Sequence, residues 1–357
     1  MSSFRQRVLN SFKNCTKKIV PYALALAASS NRSTYAGIAR SLNVEYHEFY
    51  EHIKSFADYH DRVLEVLATK VRKYQTSASP GKIVADFTRV AKSNDAETPM
   101  VTKDRNGRIN SVNNGFSLGF CAWTNGAITI PLSFCFWLNI KDAGSSYVTK
   151  KDLIKDLIKS MRNKLGVSEV IVDGEFATLG MMEFFAEERI EFTARIACNR
   201  NITTLHGTKI QLKNCPQLRL RRNERSRTIT AYLGGRLYDF TAVKHTTRGG
   251  KKKIVFIIST VPRTSKEHVR IYDLRWCIEK FFRTAKQSLG LESCQAQKSS
   301  GTINRILAVM LIYSALEETR FAKKKMSVEQ VLRIIKSKTG GKRFDQYADL
   351  VETYATL

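Results

Sequence analysis

The sequence lacks the short motifs that mark several common kinds of site. Its seven cysteines are an odd number and include no CxxC pair, which argues against a disulfide framework and against a zinc site. Its six histidines form no HxxxH or HExxH pattern, which argues against a zinc hydrolase. The phosphate-binding pattern GxxxxGK[ST] is also missing, so we expect no nucleotide cofactor.

Acidic residues are scarce as well. The chain has 32 Asp and Glu against 59 Lys and Arg, which gives a formal net charge of +27 and an isoelectric point near 9.9. Such an excess attracts polyanions, and nucleic acid is the expected partner because Lys and Arg that neutralise phosphates release bound counterions. The basic residues are spread along the chain, and no run approaches the ~20 apolar residues of a membrane span, so we expect no membrane association.

The first 76 residues have a helical pattern with few glycines. Within them, residues 34–53 have the layout of a helix-turn-helix: Ala39 is small where two helices would cross, and Asn43 suits a left-handed turn. An ordinary helical hairpin fits the pattern equally well, and glutamates on the second helix oppose deep insertion into a DNA groove. We predict a helical DNA-binding module over residues 1–76.

The pattern changes to strands after residue 77. Strands are predicted at residues 82–88, 115–123, 127–139, 169–173 and 191–196. Between the last three, helices are predicted from the N-cap at Thr149 to about residue 165 and from about residue 178 to 188. Three strands, a helix, a strand, a helix and a strand are the order of a ribonuclease-H-like fold, which we predict to begin with residues 77–196.

Two aspartates come at strand ends in this order. Asp86 would end the first strand and Asp173 the fourth, and neighbouring strands lie ~4.8 Å apart, so the two carboxylates would share one edge of the sheet. Carboxylate oxygens are ligands that magnesium prefers. A single aspartate at a strand end is more often a turn former or a helix cap, so the pair needs a third group to define a site.

A helix near the C-terminal end supplies polar residues on one face. Tyr272, Arg275, Glu279 and Lys286 fall within a ~60° arc of a single helix at ~100° per residue. The adjoining arc is apolar, so the helix can pack on a core and present a carboxylate flanked by cations. A solvated face with a simple i,i+4 pair between Arg275 and Glu279 is the alternative interpretation.

The order Tyr272-x2-Arg275-x3-Glu279-x6-Lys286 resembles the YREK signature of DDE transposases of the insertion-sequence-4 group. The resemblance covers roughly residues 80–320. It implies that Asp86, Asp173 and Glu279 are catalytic metal ligands for two Mg²⁺ ions, with Mn²⁺ as a possible substitute. It also implies that Tyr272, Arg275 and Lys286 contact DNA phosphates.

The region between the second aspartate and the glutamate is too long for a minimal fold. Residues 197–262 are predicted as a β-rich insertion, after which the core continues over residues 263–320 and a basic helical tail follows over residues 321–357. The insertion is dense in cations, which favours a surface that follows DNA phosphates over a merely solvated face. Its basic residues are Arg219, Arg221, Arg222, Arg225, Arg227, Lys244, Arg248, Lys251, Lys252 and Lys253.

The sequence therefore predicts an α/β protein with a ribonuclease-H-like mixed sheet, flanking helices, a β-rich insertion and an N-terminal helical module. The resemblance implies a DNA transposase that cuts element ends and joins them to target DNA. It further implies double-stranded DNA as partner, a homodimer in the DNA complex, and a cytoplasmic, nucleoid-associated location in a prokaryote. A ribonuclease-H-like DNA nuclease without strand transfer and a domesticated, non-catalytic DNA-binding protein are the alternatives.

Overall fold

Strands and helices alternate along the central part of the chain. The computed structural model describes residues 26–27, 34–41, 45–47, 60–92, 99–106, 111–246, 250, 252–294, 296, 298–323 and 326–339. The strands are β1 (Lys82–Ala91), β2 (Thr102–Asn106), β3 (Ser111–Thr124), β4 (Thr129–Trp137), β5 (Glu169–Val172), β6 (Glu191–Ile196), β7 (Asn201–Thr204), β8 (Lys209–Gln211), β9 (Ser226–Leu233), β10 (Arg236–Thr246) and β11 (Lys252–Ser259). The helices are α1 (Tyr35–Ser41), α2 (His60–Tyr74), α3 (Ile140–Ala143), α4 (Lys150–Leu165), α5 (Leu179–Glu187), α6 (Ser265–Asp273), α7 (Trp276–Gln287), α8 (Ser299–Ala322) and α9 (Val328–Thr339).

The described strands join one mixed sheet. Its order is β4, β3, β1, β5, β6, β11, β10, β9, β7 and β8, and β2 also pairs with the start of β3. β3 runs antiparallel to its two neighbours, β1 and β4. β1, β5 and β6 run parallel to one another. β11 pairs antiparallel with β6, so β9, β10 and β11 continue the sheet of the core. The predicted ribonuclease-H-like α/β fold is confirmed.

Local sequence signals account for the helix that follows β4. The side chain of Thr149 accepts a hydrogen bond from the backbone N–H of Asp152 and caps the start of α4. Gly166 ends the helix with a left-handed conformation, at φ 67°. One apolar stripe of α4 is buried, which confirms the helix predicted from the spacing of its apolar residues.

Helices cover both faces of the core strands. Asp86 and Phe120 are partners in register, and the ring of Phe120 contacts Phe281 of α7 with centroids 5.2 Å apart. On the other face, the ammonium of Lys150 lies 5.5 Å from the ring centroid of Phe87. Since successive residues of a strand point to opposite faces, Asp86 lies on the face that α7 covers.

α8 is long and apolar enough to cross a membrane by length and composition alone. However, 83% of its most apolar window is buried inside the fold, where the helix contacts β4, α2, α7 and α9. The ring of Tyr313, for example, lies 5.0 Å from that of Phe281. Its burial makes α8 a core helix of this fold.

β1 is longer than the sequence predicts. The predicted strand has Asp86 near its end, whereas β1 continues to Ala91 because β3 pairs with it along its whole length. Asp86 therefore lies in the middle of β1, and the prediction that it ends the strand is wrong. β2 lies between the first two predicted strands, at a position where the sequence analysis predicts no strand.

The predicted N-terminal module and the predicted C-terminal tail both lie partly outside the described residues. α1 covers the first predicted helix of the N-terminal module, with Ile38 and Ala39 buried, and the hydroxyl of Tyr35 donates to the carbonyl of Gly301 at 2.5 Å. Asn43 and most of the second predicted helix are outside the described residues. α9 lies within the predicted tail, of which residues 340–357 are not described either.

A buried carboxylate ties the start of β5 to two other segments. Glu169 accepts both guanidinium N–H groups of Arg263 at 2.8 and 2.7 Å and lies 2.6 Å from the ammonium of Lys82. Burial by itself would raise the pKa of Glu169, but the hydrogen bonds from Arg263 and Lys82 outweigh it and lower the pKa below its ordinary value. Arg263 follows β11, so this cluster joins the end of the β-rich segment to the core.

We expect Glu169→Gln to destabilise the fold by about 2–4 kcal/mol near neutral pH, because it leaves two partly buried cations without their counter-ion. Because the folded-state pKa of Glu169 is lowered, its contribution is present above the unfolded-state pKa and is lost as pH falls through the lower, folded-state value. The free energy of unfolding, measured by urea titration at several pH values, checks both statements.

Glu191→Gln is the matched control. Glu191 is the partner of Glu169 in register on β6, but its side chain is exposed. Its substitution should change the free energy of unfolding by less than about 0.5 kcal/mol. Equal effects of the two substitutions would contradict the role assigned to the cluster.

Candidate active site

The parallel pairing of β1 and β5 brings two aspartates to adjacent positions. The ladder joins Ile83 to Val170 and ends with Ala85 opposite Val172. The next residue on each strand is an aspartate, Asp86 on β1 and Asp173 after β5. The two carboxylates therefore meet where the parallel ladder ends, although only Asp173 follows the end of its strand.

Asp173 does not serve as a side-chain cap. It is the N-cap residue of the short 3₁₀ turn Gly174–Phe176, but its side chain makes no capping hydrogen bond there. Its Oδ1 instead accepts a hydrogen bond from the hydroxyl of Tyr272 at 3.2 Å. The ordinary use of an aspartate at a strand end, as a cap, thus does not apply at this position.

The polar residues predicted on one helix lie on two helices and in the turn between them. α6 ends at Asp273 and α7 begins at Trp276, so the prediction of one continuous helix is wrong. Hydrogen bonds between residues three apart join the two helices, among them Arg275 N–H to the carbonyl of Tyr272 at 2.9 Å. In such a 3₁₀ turn, side chains three residues apart eclipse each other, which keeps Tyr272 and Arg275 on the same side.

The guanidinium of Arg275 contacts all three predicted metal ligands. Its Nη1 lies 3.3 Å from Asp86 Oδ2, and its Nη2 donates a hydrogen bond to the Glu279 carboxylate. Its Nε lies 4.0 Å from Asp173 Oδ1 and makes no hydrogen bond within the described part of the chain. The i,i+4 pair of the alternative interpretation is therefore present, but as one contact of a four-residue cluster.

The three carboxylates differ in their access to solvent. The side chain of Asp86 is 15% exposed, against 38% for Asp173 and 32% for Glu279. Asp86 thus forms the floor of the cluster, and the other two carboxylates form its open side. Glu279 lies in the first turn of α7, where the helix dipole favours a negative charge.

The surroundings of the floor carboxylate, Asp86, raise its pKa. Burial raises the pKa of Asp86 to about 7, with Asp173 and Glu175 adding to the rise and Arg275 and the Phe87 N–H opposing it. The Phe87 N–H donates to Asp86 Oδ1 at 2.8 Å. Placing this carboxylate on the floor therefore costs free energy, as is common where function and not stability selects a residue.

The pKa values of Tyr272 and Arg275 also depend on the charges of this cluster. Burial raises the pKa of Tyr272, although the charge of Arg275 opposes this, so the hydroxyl stays a hydrogen-bond donor to Asp173. Burial alone would lower the pKa of Arg275, but Asp173, Glu279 and Asp86 together raise it above its ordinary value. The guanidinium is accordingly a permanent cation among the carboxylates.

Lys286 is not brought to the carboxylates. Its ammonium donates to the backbone carbonyl of Arg89 on β1 and lies 3.8 Å from Glu292, and its side chain is 11% exposed. Among the residues predicted for the site, the structure brings together Asp86, Asp173, Glu279, Tyr272 and Arg275. Lys286 lies two turns further along α7, where it contacts the strand that carries Asp86.

Sequence reasoning missed a second charged group beside this cluster. Partial burial and the charge of Asp173 raise the pKa of Glu175, and Lys150 opposes the rise. The ammonium of Lys150 lies 2.7 Å from Asp104 and 4.4 Å from the ring centroid of Trp137. The acidic residue two positions after Asp173 was a signal in the sequence, whereas Lys150 and Asp104 are joined only by the fold.

The donor set suits a hard metal ion, although the side chains are arranged around a guanidinium. Within the described ranges, no three His, Cys, Asp or Glu side chains are placed to hold a metal ion. The oxygens of Asp86, Asp173 and Glu279 face a shared cation, Arg275, whose Nε has no hydrogen bond to any residue that the structure describes. Carboxylate oxygens around a position that already favours positive charge fit magnesium or manganese.

One comparison with known proteins identifies a family. A family model described as the transposase DDE domain matches residues 132–315. The matched range includes Asp173 and Glu279, and Asp86 precedes it. No curated protein matches the chain.

We expect Asp86→Asn to stabilise the metal-free protein by about 1–3 kcal/mol above pH 7, because it removes a buried charge and keeps an acceptor for the Phe87 N–H. The folded-state pKa of Asp86 is raised to about 7. The gain should therefore be absent below the unfolded-state pKa, grow as pH rises to about 7, and stay constant above it. Urea unfolding in the presence of a chelator measures it.

Asp156→Asn provides the control, since Asp156 is an exposed carboxylate on α4. Its effect should stay within about 0.5 kcal/mol at every pH. A loss of stability in Asp86→Asn at pH 8 would mean that the contact with Arg275 outweighs the burial of the carboxylate.

Proposed function

The chain belongs to the DDE transposases, since the family model covers more than half of its residues, and from this premise we propose that it cuts DNA at element ends and joins them to target DNA. One observation carries the proposal. Asp86, Asp173 and Glu279, from three separate segments of a ribonuclease-H-like fold, converge on one guanidinium. Three carboxylates from these positions are what hydrolysis and transesterification of phosphodiesters by bound metal ions require.

The spacing of four residues supports a narrower assignment. We assign the chain to the insertion-sequence-4 group on Tyr272, Arg275, Glu279 and Lys286, which match the YREK spacing of that group at each step. The 3₁₀ turn between α6 and α7 keeps the first two of these residues beside the third. Their shared position supports a role in common, close to the scissile phosphate.

Asp86, Asp173 and Glu279 would hold two Mg²⁺ ions, and Mn²⁺ would substitute for them. When bound, the metal activates the attacking water or hydroxyl and stabilises the leaving oxygen. Asp86 supplies the least solvated carboxylate of the three, and the phenol of Tyr272 orients Asp173 through its hydrogen bond. The requirement for divalent metal agrees with the family, and no nucleotide cofactor is proposed.

Positive residues would position the DNA. Arg275 and Lys286 would contact phosphates near the scissile bond, and exposed cations of the β-rich segment, such as Arg222, Arg225 and Lys252, would follow the backbone of the duplex. Some cations of that segment are already engaged. Arg227 pairs with Glu224 at 2.6 Å, and Lys244 donates to the carbonyl of Arg222 at 3.0 Å.

The proposal extends to organisation and place of action. It comprises a DNA-binding module over residues 1–76, a catalytic core over 77–196 and 263–320, an insertion over 197–262 and a basic tail over 321–357. The partners are double-stranded element ends and target DNA, bound by a homodimer. We place this action in the cytoplasm, at the nucleoid of a prokaryote.

Substitution of each ligand tests the proposal directly. Asp86→Ala, Asp173→Ala and Glu279→Ala should each reduce cleavage of element-end DNA to background with Mg²⁺ present, while DNA affinity holds or rises, because only acidic groups are removed. Asp156→Ala, which removes an exposed carboxylate of α4, is the control and should cut normally. Normal cleavage by any of the three ligand variants would refute the assignment of the site.

The same assay separates the alternatives. A transposase joins the cut ends to a target duplex, whereas a ribonuclease-H-like nuclease releases them without joining. A domesticated DNA-binding protein would bind the ends and cut nothing. Gel analysis of a labelled end fragment with added target plasmid distinguishes the three results.

Lys286 has a test of its own, because the structure anchors it to the backbone of β1. If it also contacts a phosphate in the DNA complex, Lys286→Ala should make the slope of log affinity against log salt shallower by about one unit. Binding measured over a salt series decides this. Lys159→Ala, on the opposite face of the sheet and paired with Glu188, should leave the slope unchanged.

A further inference from the structure

Arg275 occupies the position that the metal ligands share. It approaches Asp86 and Glu279 closely and Asp173 less closely, and it does so from the turn between α6 and α7. Asp86 belongs to β1, Asp173 follows β5, and Glu279 belongs to α7. One side chain thus contacts carboxylates from three separate parts of the fold.

A cation is needed at this position in the metal-free protein. Three carboxylates around one partly buried position repel one another, and that repulsion is stronger than in bulk water because the local dielectric constant is lower. The guanidinium of Arg275 is 12% exposed and offsets part of this repulsion. A divalent ion bound by the same oxygens would repel this guanidinium.

The contacts of Arg275 are also incomplete. Its Nε has no hydrogen bond in the described part of the chain, and its nearest carboxylate oxygen on Asp173 is 4.0 Å away. Its guanidinium carbon lies 5.8 Å from the ring centroid of Tyr272 and 6.0 Å from that of Trp276, which is half exposed. The side chain therefore has an aromatic surface beside it that leads towards solvent.

We propose that Arg275 is a resident counter-ion that assembles the three carboxylates in the metal-free protein and that leaves them when metal binds, which frees it for a DNA phosphate. The proposal rests on the function proposed above. It makes metal and DNA bind with positive coupling, because a phosphate that draws Arg275 away removes the competitor of the metal. By linkage, bound metal favours DNA by the same factor.

Calorimetric titration of the full chain with Mn²⁺, without DNA, tests the competition. Arg275→Gln should bind Mn²⁺ about 5- to 100-fold more tightly than the unsubstituted protein, the range expected for coupling between two sites. Arg275→Lys, which keeps the charge but cannot contact three carboxylates at once, should fall between them. Arg283→Gln removes an exposed arginine of α7 and should bind like the unsubstituted protein.

Thermal unfolding gives a second readout that does not depend on activity. With a chelator present, Arg275→Gln should unfold at a lower temperature than the unsubstituted protein, and Mn²⁺ should raise its unfolding temperature by the larger amount. Arg275→Lys provides the same comparison should the glutamine variant not fold.

The outcomes separate this inference from the proposed function. Mn²⁺ affinity in Arg275→Gln and Arg275→Lys that is equal to or weaker than that of the unsubstituted protein overturns the role of Arg275 as a competitor and leaves the metal site in place. A lack of Mn²⁺ binding in every protein overturns the metal site together with this inference. Tighter binding in Arg275→Gln, with Arg283→Gln unchanged, supports the inference.

Discussion

Two aspartates can share a site only if the strands that carry them run side by side in one direction and in the right register. The parallel ladder between β1 and β5 meets both conditions, because it ends with Ala85 opposite Val172 and leaves an aspartate next on each strand. A shift of one residue would move Asp86 to the opposite face of the sheet, away from α7. The packing of Phe120 against Phe281 then sets the distance at which α7 presents Glu279.

β5, the strand that leads to Asp173, carries another carboxylate, Glu169, at its start. The pKa of Glu169 and the pKa of Asp86 shift in opposite directions. Glu169 is buried with two cations that satisfy it, so its pKa is lowered and it stabilises the fold. Asp86, beside the other end of β5, has a raised pKa because burial and a second carboxylate outweigh one shared guanidinium. Stability is thus concentrated at one end of the parallel strands, and the other end holds a charge arrangement suited to a ligand.

Local patterns in the sequence predicted the order of core strands and helices along the chain and α4 with its N-cap at Thr149, because both depend on periodicity. The expected topology placed Asp86 beside Asp173, whereas Glu279 was added to them only by the resemblance to a family. The extension of β1 beyond Asp86 depends on pairing with β3, which no local signal carries. No glycine or proline marks the break before α7, and the helical spacing of polar and apolar residues continues through the 3₁₀ turn. The sequence therefore predicted one helix where the structure has two. The contacts of Arg275 with Asp86 and of Lys286 with the carbonyl of Arg89 join residues far apart in sequence, and the pattern of charges on one helix could not assign them.

The overall charge of the chain and the charge of its site have opposite consequences for DNA. A net charge of +27 attracts a duplex to the protein, but the three carboxylates around Arg275 repel the phosphate that must approach them most closely. A cation has to stand between the carboxylates and the phosphate at every stage of binding. Arg275 meets this need before metal is present, and because it lies at the junction of α6 and α7, it remains beside the site when another cation takes its place. The conflict between attraction over the whole surface and repulsion at the site is therefore resolved by the placement of one arginine.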